Sequence, residues 1–351
     1  LRQFGLLVGC LLTLQVAQAD NLGFDGKIVE PDCKTMSPWF NCRKIDTAPA
    51  EVKRGYEYIH HTSKTLGPDG NKKYADGTPY ASTNIACSSC HFTGGHVPSG
   101  TPMYQSRDKY ASLPYFRPLN YNRDLEDSIV DCFRNCMNTS RTPAKNDPVM
   151  QDMVAYIGWL ADGVSDPAMQ GSGWTNLPGH ALPVVDANVA SMKADPVKGR
   201  TLSRDKCSSC HSKDGAGKGE YRRGENRPRT PALWGSNSYS RGAAFYNSQN
   251  MAGYIRTHMP FGKPNTLSAQ QSLDIAAYIN DQPHPDGMAD EMFCQIESDG
   301  IPAALRKPAS WLVGCTYISE PFSDADILYG PWTPITEWRN AEIARLKALQ
   351  N

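Results

Sequence analysis

One pentapeptide occurs twice in this chain, and it strongly limits what the chain can fold into. The first copy is Cys87-Ser-Ser-Cys90-His91, and Cys207-Ser-Ser-Cys210-His211 follows about 120 residues later. Two cysteines separated by two residues and followed by histidine attach a c-type haem: the cysteines form thioethers and the histidine binds the iron. A zinc knuckle is the alternative, but it needs a second pair of ligands nearby. The sequence predicts two covalently bound haem c groups, attached through Cys87, Cys90, Cys207 and Cys210, with His91 and His211 as axial ligands.

Length and charge set further limits. The 351 residues are enough for about two domains. The 36 Lys and Arg residues balance 36 Asp and Glu residues, so no bulk charge indicates a nucleic-acid partner. No stretch after the first segment approaches the ~20 apolar residues that span a bilayer, and no transmembrane segment is predicted.

The first 19 residues have the pattern of a secretory signal peptide. Arg2 precedes an apolar run from Phe4 to Leu14, and Ala17-Gln-Ala19 resembles a cleavage site. A lipoprotein box ending at Cys10 is the alternative. Either pattern predicts export, and we expect a periplasmic protein in which disulfides persist.

Six cysteines remain once Cys10 and the four haem-attaching cysteines are set aside. Cys33 with Cys42, and Cys294 with Cys315, flank short Pro-bearing stretches, where a disulfide is the ordinary interpretation. Cys132 and Cys136 need another explanation.

The two motifs lie in similar surroundings, which predicts an all-α fold with two cytochrome c-like haem domains in tandem. A helical pattern from Ala50 to about Thr65 precedes the first motif, and Pro196 to Lys206 precedes the second. Closing helices are predicted from Pro148 to near Gly163 and from Ser268 to Asp281, and a short helix is predicted near Glu337 to Leu349. The predicted divisions are a signal peptide (1–19), an irregular stapled N-terminal arm (20–50), cytochrome c domain 1 (51–163), a linker (164–195), cytochrome c domain 2 (196–283) and a wrapping C-terminal tail (284–351).

The sixth ligand of each iron decides its chemistry. In the second domain, Met259-Pro260 lies in a loop before the closing helix, where a thioether gives a high-potential electron-transfer haem. His258 precedes it directly and is an alternative ligand. Met259 as a core side chain and His258 as a solvent-facing one are the non-functional interpretations.

In the first domain, Cys132 lies at a comparable distance from its motif, on a helical stretch. A thiolate ligand lowers the potential of a haem, and a partly accessible sulfur is also a nucleophile. Cys132 and Cys136 are one helical turn apart, so a helical disulfide or two inert core thiols are the alternatives.

The assembled residues resemble the dihaem thiosulfate dehydrogenases. The resemblance is based on the two haem motifs, the Cys132 helix, Met153-Val-Ala-Tyr-Ile-Gly-Trp-Leu160, Leu233-Trp-Gly-Ser-Asn-Ser-Tyr239, Met259-Pro-Phe-Gly262, Ala276-Ala-Tyr-Ile279 and Tyr329-Gly-Pro-Trp-Thr-Pro-Ile335. It implies that the first haem is His/Cys-ligated through His91 and Cys132 and carries the active site. It also implies that a second haem, ligated by His211 and Met259, with His258 at the position of an alternating ligand, relays electrons.

The resemblance further implies a reaction in which Cys132 forms a sulfur adduct with thiosulfate and a second thiosulfate yields tetrathionate. The family places Arg four residues before the ligand cysteine and Ser four residues after it, whereas this chain has Ser128 and Cys136. Arg117 and Arg123 are the candidates to bind the dianion in its place, with Arg134 and Arg141 also nearby.

Two functions follow as hypotheses. The first is an oxidoreductase that interconverts thiosulfate and tetrathionate, with a c-type cytochrome or another periplasmic redox protein as partner. The second is a non-catalytic dihaem electron carrier that has lost its substrate pocket. Cys132 favours the enzyme, and Ser128 and Cys136 favour the carrier.

Overall fold

The computed structural model describes residues 45–95, 101–104, 106, 124–163, 185–218, 230–286, 296, 301–302, 305 and 318–350. Within these residues there is no strand, and the predicted all-α class is confirmed. None of the described helices is both long and apolar enough to cross a membrane. The longer helices are α1 (Ala50–His60), α2 (Leu125–Asp131), α3 (Pro148–Asp162), α4 (Pro196–Lys206), α5 (Ser248–His258), α6 (Ala269–Asn280), α7 (Asp324–Tyr329) and α8 (Thr333–Ala348).

Two helix pairs cross closely, and each pair has a glycine at its crossing point. Helix α1 packs across α3, and a Cβ atom added at Gly55 would lie 2.0 Å from the carbonyl oxygen of Asp152. Helix α4 packs across α6 in the same way, and a Cβ at Gly199 would lie 1.9 Å from the carbonyl oxygen of Asp274. Only glycine allows backbones to approach this closely. We call α1 to α3 with their haem motif the first unit, and α4 to α6 with theirs the second unit.

Capping residues and apolar faces explain why these helices form where they do. Asp147 accepts a hydrogen bond from the Val149 amide and Pro148 occupies the first turn of α3, while Ser268 and Gln271 form a capping box on α6. The faces that these helices turn inward are fully buried, including Met150, Leu160 and Leu273. Their burial fixes the closing helices against the lead helices.

Most predicted helices agree with the structure, and three details differ. The lead helix predicted from Ala50 to about Thr65 ends at His60, and a separate turn follows at Thr62–Thr65. His258 is the last residue of α5, a helix that the sequence did not predict. The last helix is longer than predicted and begins at Thr333.

The C-terminal tail packs against the second unit. The Trp332 side chain is 1% exposed, and its indole donates a hydrogen bond to the Ile327 carbonyl at 2.6 Å. The Trp332 amide donates to the carbonyl of Ala190, ahead of α4, at 2.7 Å. The Tyr329 hydroxyl donates to Asp281, after α6, at 2.6 Å. The tail therefore contacts the second unit just before α4 begins and just after α6 ends.

Candidate haem and sulfur site

The two attachment motifs form short helical turns with matching histidine geometry. The first motif forms the turn Cys87–Cys90, and the second forms Ser208–His211. The Nδ1 atom of His91 lies 2.6 Å from the Thr101 carbonyl oxygen, and Nδ1 of His211 lies 2.9 Å from the Pro231 carbonyl oxygen. A carbonyl oxygen only accepts, so Nδ1 carries the proton in both rings. Nε2 is thereby the nitrogen available to a metal, which is the arrangement found in metal-ligating histidines.

Threonine hydroxyls support both motifs in the same way. Thr101 donates to the carbonyl of Cys90, and Thr230 donates to the carbonyl of Cys210. Burial lowers the pKa of His211, which favours the neutral imidazole that binds iron. The donor set and its orientation therefore fit a covalently attached haem, although no group of three or more His, Cys, Asp or Glu converges in the described part of the chain.

Cys132 lies where α2 widens into a π-helical turn, Cys132–Cys136, which we call the thiol turn. Asp124 begins α2 by accepting from the Asp127 amide at 2.9 Å. At the other end, the Met137 amide donates to the carbonyl of Cys132, five residues back, at 3.1 Å. Turns of this kind occur often at functional sites.

The thiol turn places Cys132 against two chemically important neighbours. The Cys136 thiol donates to the Cys132 sulfur over 3.8 Å, and the His91 imidazole contacts the same sulfur. The pKa of the Cys132 thiol is raised well above its ordinary value, first by the hydrogen bond with Cys136 and then by burial, while His91 opposes the rise. A bound metal ion would displace this proton, because coordinating thiols are deprotonated. The structure thus brings together His91 and Cys132, the two residues assigned to the first iron.

A residue of the second unit, Ser240, hydrogen-bonds to the end of the thiol turn. The Ser240 amide donates to the carbonyl of Cys136 at 3.0 Å, and the Ser240 hydroxyl donates to the carbonyl of Asn135. Ser240 is fully buried. Sequence reasoning missed this residue, although it directly follows the Leu233 to Tyr239 segment already singled out. No periodic pattern marks such a contact.

Of the arginines considered for the substrate, Arg117 and Arg123 lie outside the described residues. Arg141 is at the surface, where its guanidinium lies 2.6 Å from Asp76 and stacks over the Tyr74 ring. Arg134 is exposed. Ser128 lies one turn before Cys132, and its carbonyl accepts a hydrogen bond from the Cys132 amide. The structure therefore gives Arg141 a partner other than a substrate.

The candidate ligands of the second iron are adjacent at the end of α5. The His258 ring stacks on Tyr254, and its Nδ1 lies 2.8 Å from the Thr257 hydroxyl. Burial lowers the pKa of His258. Met259 follows directly and is partly buried against the core. This geometry engages Nδ1 of His258 within its own helix, as Nδ1 is engaged in His91 and His211, and it does not distinguish His258 from Met259 as the ligand.

Comparison with known proteins agrees with this geometry. Residues 196–283 match the model of the cytochrome c family. The match, with the second attachment motif and the orientation of His211, indicates a cytochrome c domain with covalently bound haem c at these residues.

The chain is also similar to curated thiosulfate dehydrogenases. It is 32% identical to that of Allochromatium vinosum over 161 residues, which cover 46% of this chain and 54% of the relative. It is 28% identical to that of Psychrobacter arcticus over 245 residues, which cover 68% of this chain and 65% of the relative. These similarities support the resemblance to the thiosulfate dehydrogenases that the sequence motifs predicted. It spans about half to two thirds of the length of the curated relatives it matches.

A solved structure has a similar fold. The thiosulfate dehydrogenase of Marichromatium purpuratum aligns with a TM-score of 0.55 and 24% identity, over 71% of this chain and 50% of that one. At this identity the likeness supports the helical cytochrome fold alone.

Proposed function

We propose that this chain binds two haem c groups and interconverts thiosulfate and tetrathionate at the first of them. The observation that carries the proposal is the Cys132 sulfur in contact with His91, on a π-helical turn. His91 and Cys132 would bind the first iron, and His211 with Met259 the second, while Cys87, Cys90, Cys207 and Cys210 attach the porphyrins. When bound, the haems supply one-electron redox chemistry.

In the proposed reaction Cys132 is the sulfur that engages the substrate. Its sulfur and the outer sulfur of thiosulfate form a bond as two electrons leave. A second thiosulfate then attacks the thiosulfate sulfur that is bonded to Cys132. This step releases tetrathionate and returns Cys132 as a thiolate. A dianion needs cations, and we assign this role to Arg117 and Arg123.

Contacts between the units support electron transfer from one half to the other. The Tyr254 hydroxyl lies 3.5 Å from the carbonyl oxygen of Ser89, inside the first haem motif. Tyr254 also stacks on His258, beside the proposed second ligand. Ser240 adds a further contact at the thiol turn. We propose that a c-type cytochrome or another periplasmic redox protein exchanges electrons with the second haem of the exported protein.

The test mixes oxidised, haem-loaded protein with thiosulfate and follows reduced-haem absorption, with tetrathionate measured as product. We expect reduction to slow by about 100-fold or more in Cys132→Gly. Ser140→Gly, an exposed change near the thiol turn, is the matched control. If parent and variant both stay oxidised with thiosulfate while ascorbate reduces both, the enzymatic proposal is wrong.

A non-catalytic electron carrier is the second candidate. The ion pair of Arg141 with Asp76 favours it, because that guanidinium is engaged away from a substrate. The number of haems is tested separately by comparing iron and protein content. We expect two haems in the parent and one in a variant with both Cys207 and Cys210 changed to Ser.

A further inference from the structure

Two thiols share the thiol turn, and the proposed reaction has used only one of them. Cys132 and Cys136 are both free and both partly exposed. Their sulfur atoms are 3.8 Å apart. A disulfide requires about 2.05 Å, so the two atoms need to approach by about 1.8 Å.

Three hydrogen bonds and one buried side chain hold the backbone around this pair of cysteines. Ser240 binds the carbonyls of Asn135 and Cys136, and the Met137 amide binds the carbonyl of Cys132. Phe133, between the two cysteines, is 1% exposed. Side-chain rotation is therefore the motion that would close the gap.

We propose that Cys136 is the resolving thiol for Cys132, so that the pair cycles between a dithiol and a disulfide while it processes tetrathionate. This inference rests on the proposed function, because it uses the same substrate and the same Cys132 adduct. It differs in the group that resolves the Cys132 adduct, which is Cys136 here and a second thiosulfate in the proposed reaction above.

The steps balance in atoms and electrons. Cys132 loses its proton to water and its thiolate attacks an inner sulfur of tetrathionate. A Cys132–sulfur bond forms, the central sulfur–sulfur bond breaks, and one thiosulfate leaves. Cys136 then loses its proton and attacks the Cys132 sulfur, which forms the disulfide and expels the second thiosulfate. Tetrathionate has taken up two electrons, and the dithiol has lost two. Reduced c-type cytochrome is the class of donor that returns the disulfide to the dithiol, in two one-electron transfers with two protons taken from water.

A hydrogen bond alone would be a simpler role for Cys136. Its thiol donates to Cys132 in the dithiol state, and that contact would tune the reactivity of Cys132 without any covalent step. Serine at the same position keeps a donor but cannot form a disulfide. Cys136→Ser therefore separates the two roles, and Cys136→Ala removes both.

The experiment treats haem-loaded protein, with its thiols reduced and its haem irons oxidised, with tetrathionate, so that the dithiol is the only source of electrons. Free thiols are then blocked with N-ethylmaleimide in acid, and tryptic peptides are mapped by mass spectrometry. Cleavage after the exposed Arg134 places the two cysteines in different peptides, so a disulfide between them joins the fragments. We expect this joined pair and about two thiosulfates released per protein. In Cys136→Ser we expect thiosulfate retained on Cys132 and about one released.

Three results would count against the proposal in distinguishable ways. Thiosulfate retained on Cys132 in the parent, beside an alkylated Cys136, would overturn the resolving role and leave the proposed function standing. Alkylation of both cysteines in parent and variant would show that Cys132 forms no adduct with tetrathionate, which would contradict the proposed function as well. Failure of diamide, a general thiol oxidant, to join the two peptides would show that the sulfurs cannot meet.

Discussion

The glycines at the two helix crossings give the strongest test of the fold. In an exposed helix, Gly→Ala stabilises by about 1 kcal/mol, because alanine has the higher helix propensity. At Gly55 and Gly199 the added Cβ would instead meet a backbone carbonyl oxygen at 2.0 and 1.9 Å, where ordinary contacts begin at 3.4 Å. The helices would have to separate by about 1.5 Å, and no flexible side chain can relieve the contact.

We expect each alanine variant to lose about 2 kcal/mol of unfolding free energy, since overpacking costs up to about 3 kcal/mol and propensity returns about 1. The corresponding fall in melting temperature is about 4 to 8 °C. The measurement is denaturant and thermal unfolding of haem-loaded protein. Lys53→Ala and Arg200→Ala, exposed changes on the same two helices, are expected to stay within about 0.5 kcal/mol of the parent. If Gly55→Ala and Gly199→Ala are as stable as the parent, the close crossing is wrong.

Three further outcomes are expected. Burial, with a smaller effect of Lys64, lowers the pKa of His61 to about 4, so below about pH 6.5 the unfolded chain binds a proton that the folded chain does not bind. The free energy of unfolding should therefore fall by about 2 to 3 kcal/mol from pH 6.5 to 4. A His61→Gln variant measured over the same range should show a shallower slope of stability against pH. Ser240→Ala removes the hydroxyl that donates to the Asn135 carbonyl and should cost about 1 to 2 kcal/mol of unfolding free energy, measured with denaturant. Cys132 and Cys136 should be alkylated faster in this variant, because the thiol turn is held less firmly. Unchanged alkylation would contradict the contact. Trp332→Ala leaves a large cavity beneath the tail and should cost about 3 to 5 kcal/mol, whereas a loss below about 1 kcal/mol would show that the tail is not packed on the second unit.

Local signals in the sequence were enough for much of the fold. The predicted lead helix from Pro196 to Lys206 has the observed bounds, because proline at its first position and the Asp195 cap define its start. Helix α5 was missed because its first turn is polar and contains no apolar periodicity. Its Asn247 cap, which accepts from the amides of Gln249 and Asn250, was the available signal.

The candidate site was only partly predictable. The spacing of Cys132 and Cys136 fits an ordinary α-helical turn, and nothing local distinguishes it from the observed π-helical one. The crossing glycines are visible in the sequence, but their meaning depends on which helix lies opposite. The contact of Ser240 with the thiol turn joins residues more than 100 positions apart, so it arises from tertiary packing alone.

That contact makes the thiol turn depend on the second unit. The carbonyls at the end of the thiol turn, at Asn135 and Cys136, receive their hydrogen bonds from the other half of the chain. The first unit alone contains a haem motif and a pair of crossing helices, but it lacks the Ser240 donor to these two carbonyls. The thiol turn thus depends on both halves of the chain, and we expect the first half, transplanted alone onto another cytochrome, to lose the hydrogen bonds that hold this turn.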